Sequence, residues 1–310
     1  MNLSTHFMNN KDEIQRFIFD DYDIRGQLVC LTDSYQSAIE HHHHPEPINR
    51  LIGEFMAAAA LLSTGIKIQG TVSLQAQGKG DLSLIMAECY HGHEVRAIAR
   101  WQGEKCHDNL QSLLADGQLV ITIDPDEGQR YQGIVPIESS TLAECLELYF
   151  EKSEQLKTRG WLTTEPNVLA SGLFIQALPG SAKRQNEFDQ DKDAWNRICQ
   201  LSDTLTLQEI KELDNDALLH RLYHQEALRV FPVNPILYKC GCDRDRTINA
   251  LVALGQEEVK QIFSEQPELS VTCEFCNKIY LFVFEDISAS FLLQENIEIT
   301  GNPDPKRTLH

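Results

Sequence analysis

Cys240-Gly241-Cys242 and, after thirty intervening residues, Cys273-Glu274-Phe275-Cys276 decide how this chain is read. Two close cysteine pairs at that separation make one four-thiolate metal site. Zinc fits it, because zinc accepts tetrahedral thiolate coordination and its structural sites have all four positions filled by protein. Leu269 to Thr272 and Ile279 to Phe284 read as short strands flanking the second pair, which places Cys273 and Cys276 on a knuckle between them. The spacing speaks strongly for a metal and weakly for its purpose. A plain structural clasp satisfies it as well as any switch does.

Around this motif, Arg244 to Leu254 and Glu257 to Phe263 read as helices, with Pro267 breaking the pattern before the knuckle. Such a unit is too small to be secure on its hydrophobic core alone, so the metal serves as its staple. Upstream, the chain from Ser181 to Asp193 is polar. Two short amphipathic patterns follow it, Trp195, Ile198, Cys199, Leu201 and then Leu207, Ile210, Leu213, Leu218, Leu219, Leu222, Tyr223. Thr206 with Glu209 has capping-box spacing. Helices this short must lean on a neighbour to persist.

The remainder reads as a mixed domain. Strands are expected from Ile14 to Phe19, Ile24 to Leu31, Ile66 to Gln75, Leu82 to Glu88, Val95 to Trp101, Leu119 to Ile123, Tyr131 to Ile137 and Val168 to Leu178. Helices are expected from Tyr35 to Glu40, Pro47 to Leu62 and Leu110 to Ala115, and one capped by Thr141 and Glu144 runs to about Lys157. In the long one, Ile48, Leu51, Ile52, Phe55 and Met56 recur at helical spacing. The fold class is therefore α+β. Its boundaries are expected as a mixed domain over 1–179, a helical linker over 180–235 and a cysteine domain over 236–310.

Several other clusters attract attention and carry less. Gly78-Lys79-Gly80 lacks the earlier glycine and the following Ser or Thr of a phosphate loop. Cys89, His91 and His93 read as a hairpin tip, His41 to His44 as a loop before Pro45, and His220 with His224 as a helix surface. Cys30, Cys89, Cys106, Cys145 and Cys199 are isolated in sequence and read as small buried hydrophobes. The 310 residues carry 46 acidic and 27 basic side chains, a formal charge of −19, which repels a phosphate backbone; nucleic acid is an unsuitable partner. No apolar run reaches membrane-spanning length, and Met1 to Phe17 is too polar for a secretory signal, so a cytoplasmic protein is expected. Nine cysteines in a reducing compartment point to metal or redox chemistry and away from a static disulfide framework.

Taken together, these residues resemble the 33-kDa chaperonin family of redox-regulated holdases. The likeness covers nearly the whole chain and is most specific at Lys239 to Cys242 and Cys273 to Cys276 with Tyr280 and Phe282. Supporting matches are Arg25 to Val29, Arg130 to Gly133, Tyr149-Phe150, Ser153 to Leu156 and Arg221 to His224. The resemblance implies an N-terminal substrate-binding domain, a metastable linker and a C-terminal switch. Cys240, Cys242, Cys273 and Cys276 would bind one Zn2+ per chain in the reduced, inactive form. Oxidation would join Cys240 to Cys242 and Cys273 to Cys276, release the metal and give an ATP-independent binder of unfolding client proteins, a homodimer when oxidised, with no catalytic residue. Structural zinc contributes roughly 10–16 kcal/mol to small domains, whereas whole domains are stable by about 5–15. Disulfides within each motif close only small loops and cannot replace it. Two other classes compete: a thiol–disulfide oxidoreductase turning over at Cys273 and Cys276, and a zinc-ribbon nucleic-acid module. Insulin-reduction and DNA-binding assays separate them from a holdase.

Overall fold

The computed structural model describes residues 11–66, 69–103, 107, 109–178 and 193–291. Cys106, Pro179-Gly180, the polar stretch 181–192 and the tail after Gly301 lie outside the described residues. The chain divides into two compact units, Met1–Lys239 and Cys240–His310.

The first unit is built around helix α2 (Glu46–Gly65), which Pro at position 47 opens, as its fixed φ suits a first helical turn. Fourteen of its twenty residues are buried, and Ala57 to Ala60 are wholly so. Side chains that small let strands pack closely on the helix from more than one direction. It touches strands of both large sheets.

One sheet contains β1 (Glu13–Phe19), β2 (Ile24–Leu31), β8 (Thr158–Glu165) and β9 (Leu169–Ala177), in the order β1-β2-β9-β8. The other is the meander β3 (Gly70–Gln77), β4 (Leu82–Tyr90), β5 (Glu94–Trp101), extended by β6 (Gln118–Pro125) and β7 (Tyr131–Pro136). Helices α1 (Asp33–Ile39), α3 (Leu110–Leu114) and α4 (Leu142–Tyr149) fill in around them. At the β3–β4 turn the glycines have a packing role: a Cβ on Gly78 or Gly80 would lie 1.8 or 2.1 Å from the carbonyl oxygens that close α3.

The strands of the first sheet are apolar on both faces, because both are covered. Val29, Leu31, Ala170 and Phe174 join the α2 core. Leu28, Cys30, Leu173 and Ile175 point the other way, joining Phe17 and Phe19 from β1. What covers that second face is α5 (Ala194–Ser202), α6 (Leu207–Glu212) and α7 (Asn215–Tyr223), through Ile198, Ile210, Leu218, Leu219, Leu222 and Tyr223. Polar contacts hold the same layer. The Lys11 ammonium donates to the carbonyls of Ile210, Lys211 and Leu213 at 2.8, 3.1 and 2.6 Å, saturating the end of α6, and Arg197 pairs with Glu226 at 2.7 Å. The capping box of Thr206 and Glu209 is complete.

The sequence expectation fails at three places here. The helix after Thr141 stops at Tyr149 and finishes in a π turn over Phe150–Glu154, because Gln155 takes a left-handed φ of 52° and the chain turns into β8, a strand not anticipated. The chain after Tyr223 is likewise not simply helical. β10 (Leu228–Val230) and β11 (Asn234–Pro235) pair with β1, and β12 (Leu237–Tyr238) adds parallel to β5. Strand β3 also begins at Gly70, since α2 continues to Gly65.

The second unit contains α8 (Arg244–Val252), α9 (Gln256–Glu265) and the hairpin β13 (Leu269–Thr272) with β14 (Ile279–Phe282). Among the described residues, its buried apolar side chains are Val252, Val259, Tyr280, Phe282, Ile287 and Phe291. Period-two alternation along β14 turns Tyr280 and Phe282 inward and leaves Ile279 and Leu281 exposed.

Candidate metal centre

Two different local devices present the four cysteines. Cys240 and Cys242 lie on the strand-free approach to α8, whose N-cap Asp243 accepts from the Arg246 N–H at 2.7 Å. The Arg246 guanidinium reaches back to the Gly241 carbonyl at 2.8 Å, fixing the loop between the two cysteines. Cys273 and Cys276 occupy the β13–β14 turn. There the Cys273 N–H donates to the Lys278 carbonyl at 2.9 Å, the Asn277 N–H to the Cys273 carbonyl at 2.8 Å, and Asn277 takes a left-handed φ of 54°. This turn is not the opening of a helix, so no helix dipole acts on either sulfur.

These devices bring all four sulfurs to one point. Cys240 Sγ lies 3.6 Å from Cys273 Sγ and Cys242 Sγ 3.5 Å from Cys276 Sγ, and all four are within 4.8 Å of one another. A tetrahedral ion with sulfurs at about 2.3 Å sets them about 3.8 Å apart, so both the donor type and the spacing suit a metal of the zinc kind. The four cysteines can hold a metal ion. Without one, sulfurs this close share protons unequally. At Cys242 burial disfavours the thiolate, yet the Tyr280 hydroxyl, which donates at 3.2 Å, and the neighbouring thiols outweigh it and bring the group down to about 7. Burial pushes Cys240 and Cys276 up. Tyr280 as a sulfur's hydrogen-bond donor escaped sequence reasoning; alternation along β14 puts it on the same inner face as Phe282, which was the available signal.

The remaining clusters do not converge. Cys89 is buried in the sheet, while His91 pairs with Asp126 at 2.6 Å and stacks on Tyr90 at the hairpin tip. His42 and His44 stack on each other in the loop, and the rings of His220 and His224 lie 6.0 Å apart at the end of α7. Burial raises the thiols of Cys30 and Cys89 to about 12, Cys199 to about 11, and Cys145 as well; Cys30, Cys89 and Cys145 are buried as expected, whereas Cys199 is only half-buried. Among the described residues, the four-cysteine set is the one group of three or more metal-ligating side chains that comes together.

A family model described as Hsp33 protein matches residues 12–283, spanning both sheets and the sulfur cluster. The chain belongs to the Hsp33 family. Among curated relatives, the 33 kDa chaperonin of Ectopseudomonas mendocina is 44% identical over 302 residues, covering 96% of this chain and 99% of that protein. That of Azotobacter vinelandii is 45% identical over 287 residues, with 92% and 96% covered. The crystal structure of the 33 kDa chaperonin of Thermotoga maritima superimposes with a TM-score of 0.75 over 92% of this chain and 99% of that one. At 19% identity the likeness is one of fold. The Hsp33 fold thus places a mixed sheet unit and a four-cysteine unit in one chain. No described helix is long and apolar enough to cross a membrane.

Proposed function

We propose that this Hsp33-family chain is a redox-regulated, ATP-independent holdase of the cytoplasm, which binds unfolding client proteins without catalytic turnover. The observation that carries the reading is the convergence of four sulfurs, all within 4.8 Å, in a unit whose described residues make a very small apolar core. A chaperone role is supported by the names of its relatives, 33 kDa chaperonins alike along almost their whole length.

Zinc, one per chain at Cys240, Cys242, Cys273 and Cys276, supplies a shielded, deprotonated donor set that remains quiet until an oxidant arrives. Peroxide oxidises one thiolate to a sulfenic acid, and the second cysteine of the same motif displaces hydroxide to close a disulfide, Cys240 to Cys242 or Cys273 to Cys276. The four-sulfur set is then gone, and the unit's few buried side chains are left to hold it. Helices α5–α7 cover one apolar face of the first sheet, including Phe17, Phe19 and Leu173. Lifting them exposes surface that fits an unfolded chain, and oxidised copies pair through what is exposed. In domain terms the switch lies within 236–310 and the gate within 180–235.

A light-scattering assay with a thermally unfolding client tests this reading. Reduced protein should leave aggregation unchanged, and peroxide-treated protein should suppress it at near-stoichiometric ratio, in step with zinc release. Protection by the reduced form at the same level overturns redox control, and turnover in an insulin-reduction assay overturns the holdase. Peptide mapping that finds mainly Cys242 joined to Cys273 overturns the pairing.

A further inference from the structure

Tyr280 joins the sulfur cluster to the apolar core of the second unit. Its ring lies inward beside Phe282 with 7% exposure, and its hydroxyl donates to Cys242 Sγ at 3.2 Å. Two cations hold this pair of rings. The Lys278 ammonium lies 5.1 Å from the centre of the Tyr280 ring, and the Arg244 guanidinium 4.5 Å from that of Phe282. Arg244 is itself fixed by the Leu281 carbonyl and by Asp286, at 2.7 Å each. Cys240 and Cys276 meet main-chain donors, the N–H groups of Cys242 and Lys278. At Cys242 the hydroxyl donor belongs to a side chain, which a single substitution removes.

A hydrogen bond to a thiolate draws on the same electron density that attacks an electrophile, so the donor quiets the sulfur while leaving it a metal ligand. A cation over the ring withdraws density from the phenol and makes its O–H the stronger donor. The sulfurs already stand near the separation a tetrahedral ion imposes, so metal binding asks for little movement of Cys242 away from the hydroxyl. Resting on the redox-switch reading above, we propose that Tyr280 is a positioning residue that sets the threshold of the switch. Its hydroxyl holds density on Cys242 Sγ, so that oxidant enters the Cys240–Cys242 pair at Cys240. Peroxide accepts an electron pair from the Cys240 thiolate: the S–O bond forms as the O–O bond breaks, and hydroxide leaves. The Cys242 thiolate then attacks the Cys240 sulfur, the S–S bond forms, and a second hydroxide leaves from the sulfenic acid. The Tyr280 proton stays on its oxygen throughout. A disulfide sulfur is a poorer acceptor than a thiolate, so the closed pair leaves a buried hydroxyl poorly partnered and weakens the core that it enters.

The test reads the first sulfur struck in zinc-loaded full chain, using sub-stoichiometric iodoacetamide and peptide mapping. In Tyr280→Phe the ratio of Cys242 to Cys240 among first hits should rise about tenfold, the scale on which groups bonded to metal ligands act. Replacing Tyr280 by 3-fluorotyrosine, a stronger donor of nearly the same shape, should lower the ratio below that of the native chain. A residue that only fills space moves the ratio in neither variant or in one direction in both, and either result overturns the proposal. Cobalt-loaded protein supplies a signature separate from reactivity: the sulfur-to-cobalt charge-transfer bands should move to longer wavelength in Tyr280→Phe, and unmoved bands overturn the hydrogen bond to the ligand. Should Tyr280→Phe fail to hold one metal per chain, Lys278→Met decides instead. It keeps the hydroxyl and removes the cation, so the ratio should rise by a smaller factor, and an unchanged ratio there overturns the proposal. Zinc release should need less peroxide in Tyr280→Phe; an equal dose beside an altered ratio overturns the threshold and leaves the positioning standing. The alkylation and cobalt readouts use neither client nor oxidant, so they stand or fall apart from the holdase reading.

Discussion

Helix α2 and the hairpin β13–β14 are both centres of their units, and they are stabilised in different ways. α2 has wholly buried neighbours along most of its length, with Phe55, Met56 and Leu61 at no exposure, and its position is fixed by packing between sheets. The hairpin offers Tyr280 and Phe282 to a small cluster, and Ile279 on its other face is 60% exposed. Its position is fixed where Cys273 and Cys276 meet Cys240 and Cys242. A unit held by packing responds to heat and denaturant. One held at a single set of sulfurs responds to anything that reacts with sulfur, which is what a chemical sensor requires.

The largest effect should come from striking the sulfurs. Cys276→Ser, or a strong chelator, is expected to lower zinc affinity by orders of magnitude and to abolish protection of amides within 244–291 from hydrogen exchange, with α2 amides unchanged. Retention of full protection in the second unit would show that its apolar core suffices and would erase the contrast.

An intermediate effect is expected at the layer between these extremes. Leu222 is 2% exposed on α7, packed toward the first sheet, and Leu222→Glu puts a charge there at a cost of about 3 kcal/mol, comparable to deleting a large core side chain. The α5–α7 segment should become protease-sensitive while zinc content stays at one per chain, and the reduced variant should protect clients. A loosened segment with no activity until oxidation would move control into the four-cysteine unit.

The smallest effect sharpens the packed side. Glu54 has its folded-state value raised from 4.5 to about 7. The folded chain therefore keeps a proton that the unfolded chain gives up. The stability from that proton is complete below about pH 4.5, falls at up to about 1.4 kcal/mol per unit as pH rises toward 7, and levels off above. Arg50 is the charged neighbour that moderates it. Urea denaturation should find Glu54→Gln gaining on the native chain across that window and holding a constant lead beyond it. A difference independent of pH would mean that Glu54 is solvated.

Where the sequence was legible, one local pattern sufficed. Ile48 to Met56 announce α2 by their spacing, Tyr90 to His93 mark a hairpin tip, and the two cysteine motifs announce a four-sulfur set whose close approach the structure displays. What remained hidden depends on partners far along the chain. Thr158 to Glu165 becomes a strand because β9 pairs with all of it, whereas locally it follows a helix with no proline or glycine break before Gly160. Leu228 to Val230, Asn234-Pro235 and Leu237-Tyr238 are too short for any period, and they are strands only because β1 and β5 have open edges. The Lys11 contacts with α6 span about two hundred residues of sequence, and no window reveals them.

Those short strands have a mechanical consequence. The α5–α7 layer is entered from β9 and left through β10, and both strands belong to the sheet that the layer covers. It is therefore tethered at both ends. When it lifts while β10 keeps its pairing to β1, it cannot diffuse away, and its return is governed by an effective local concentration, in the millimolar range for short tethers, and not by the amount of protein present. Under the proposed gate, client and cover would compete for one surface on unequal terms: the client's hold would weaken with dilution and the cover's would not. Release would follow from restoring the affinity of the cover, without a motor to pull the client off.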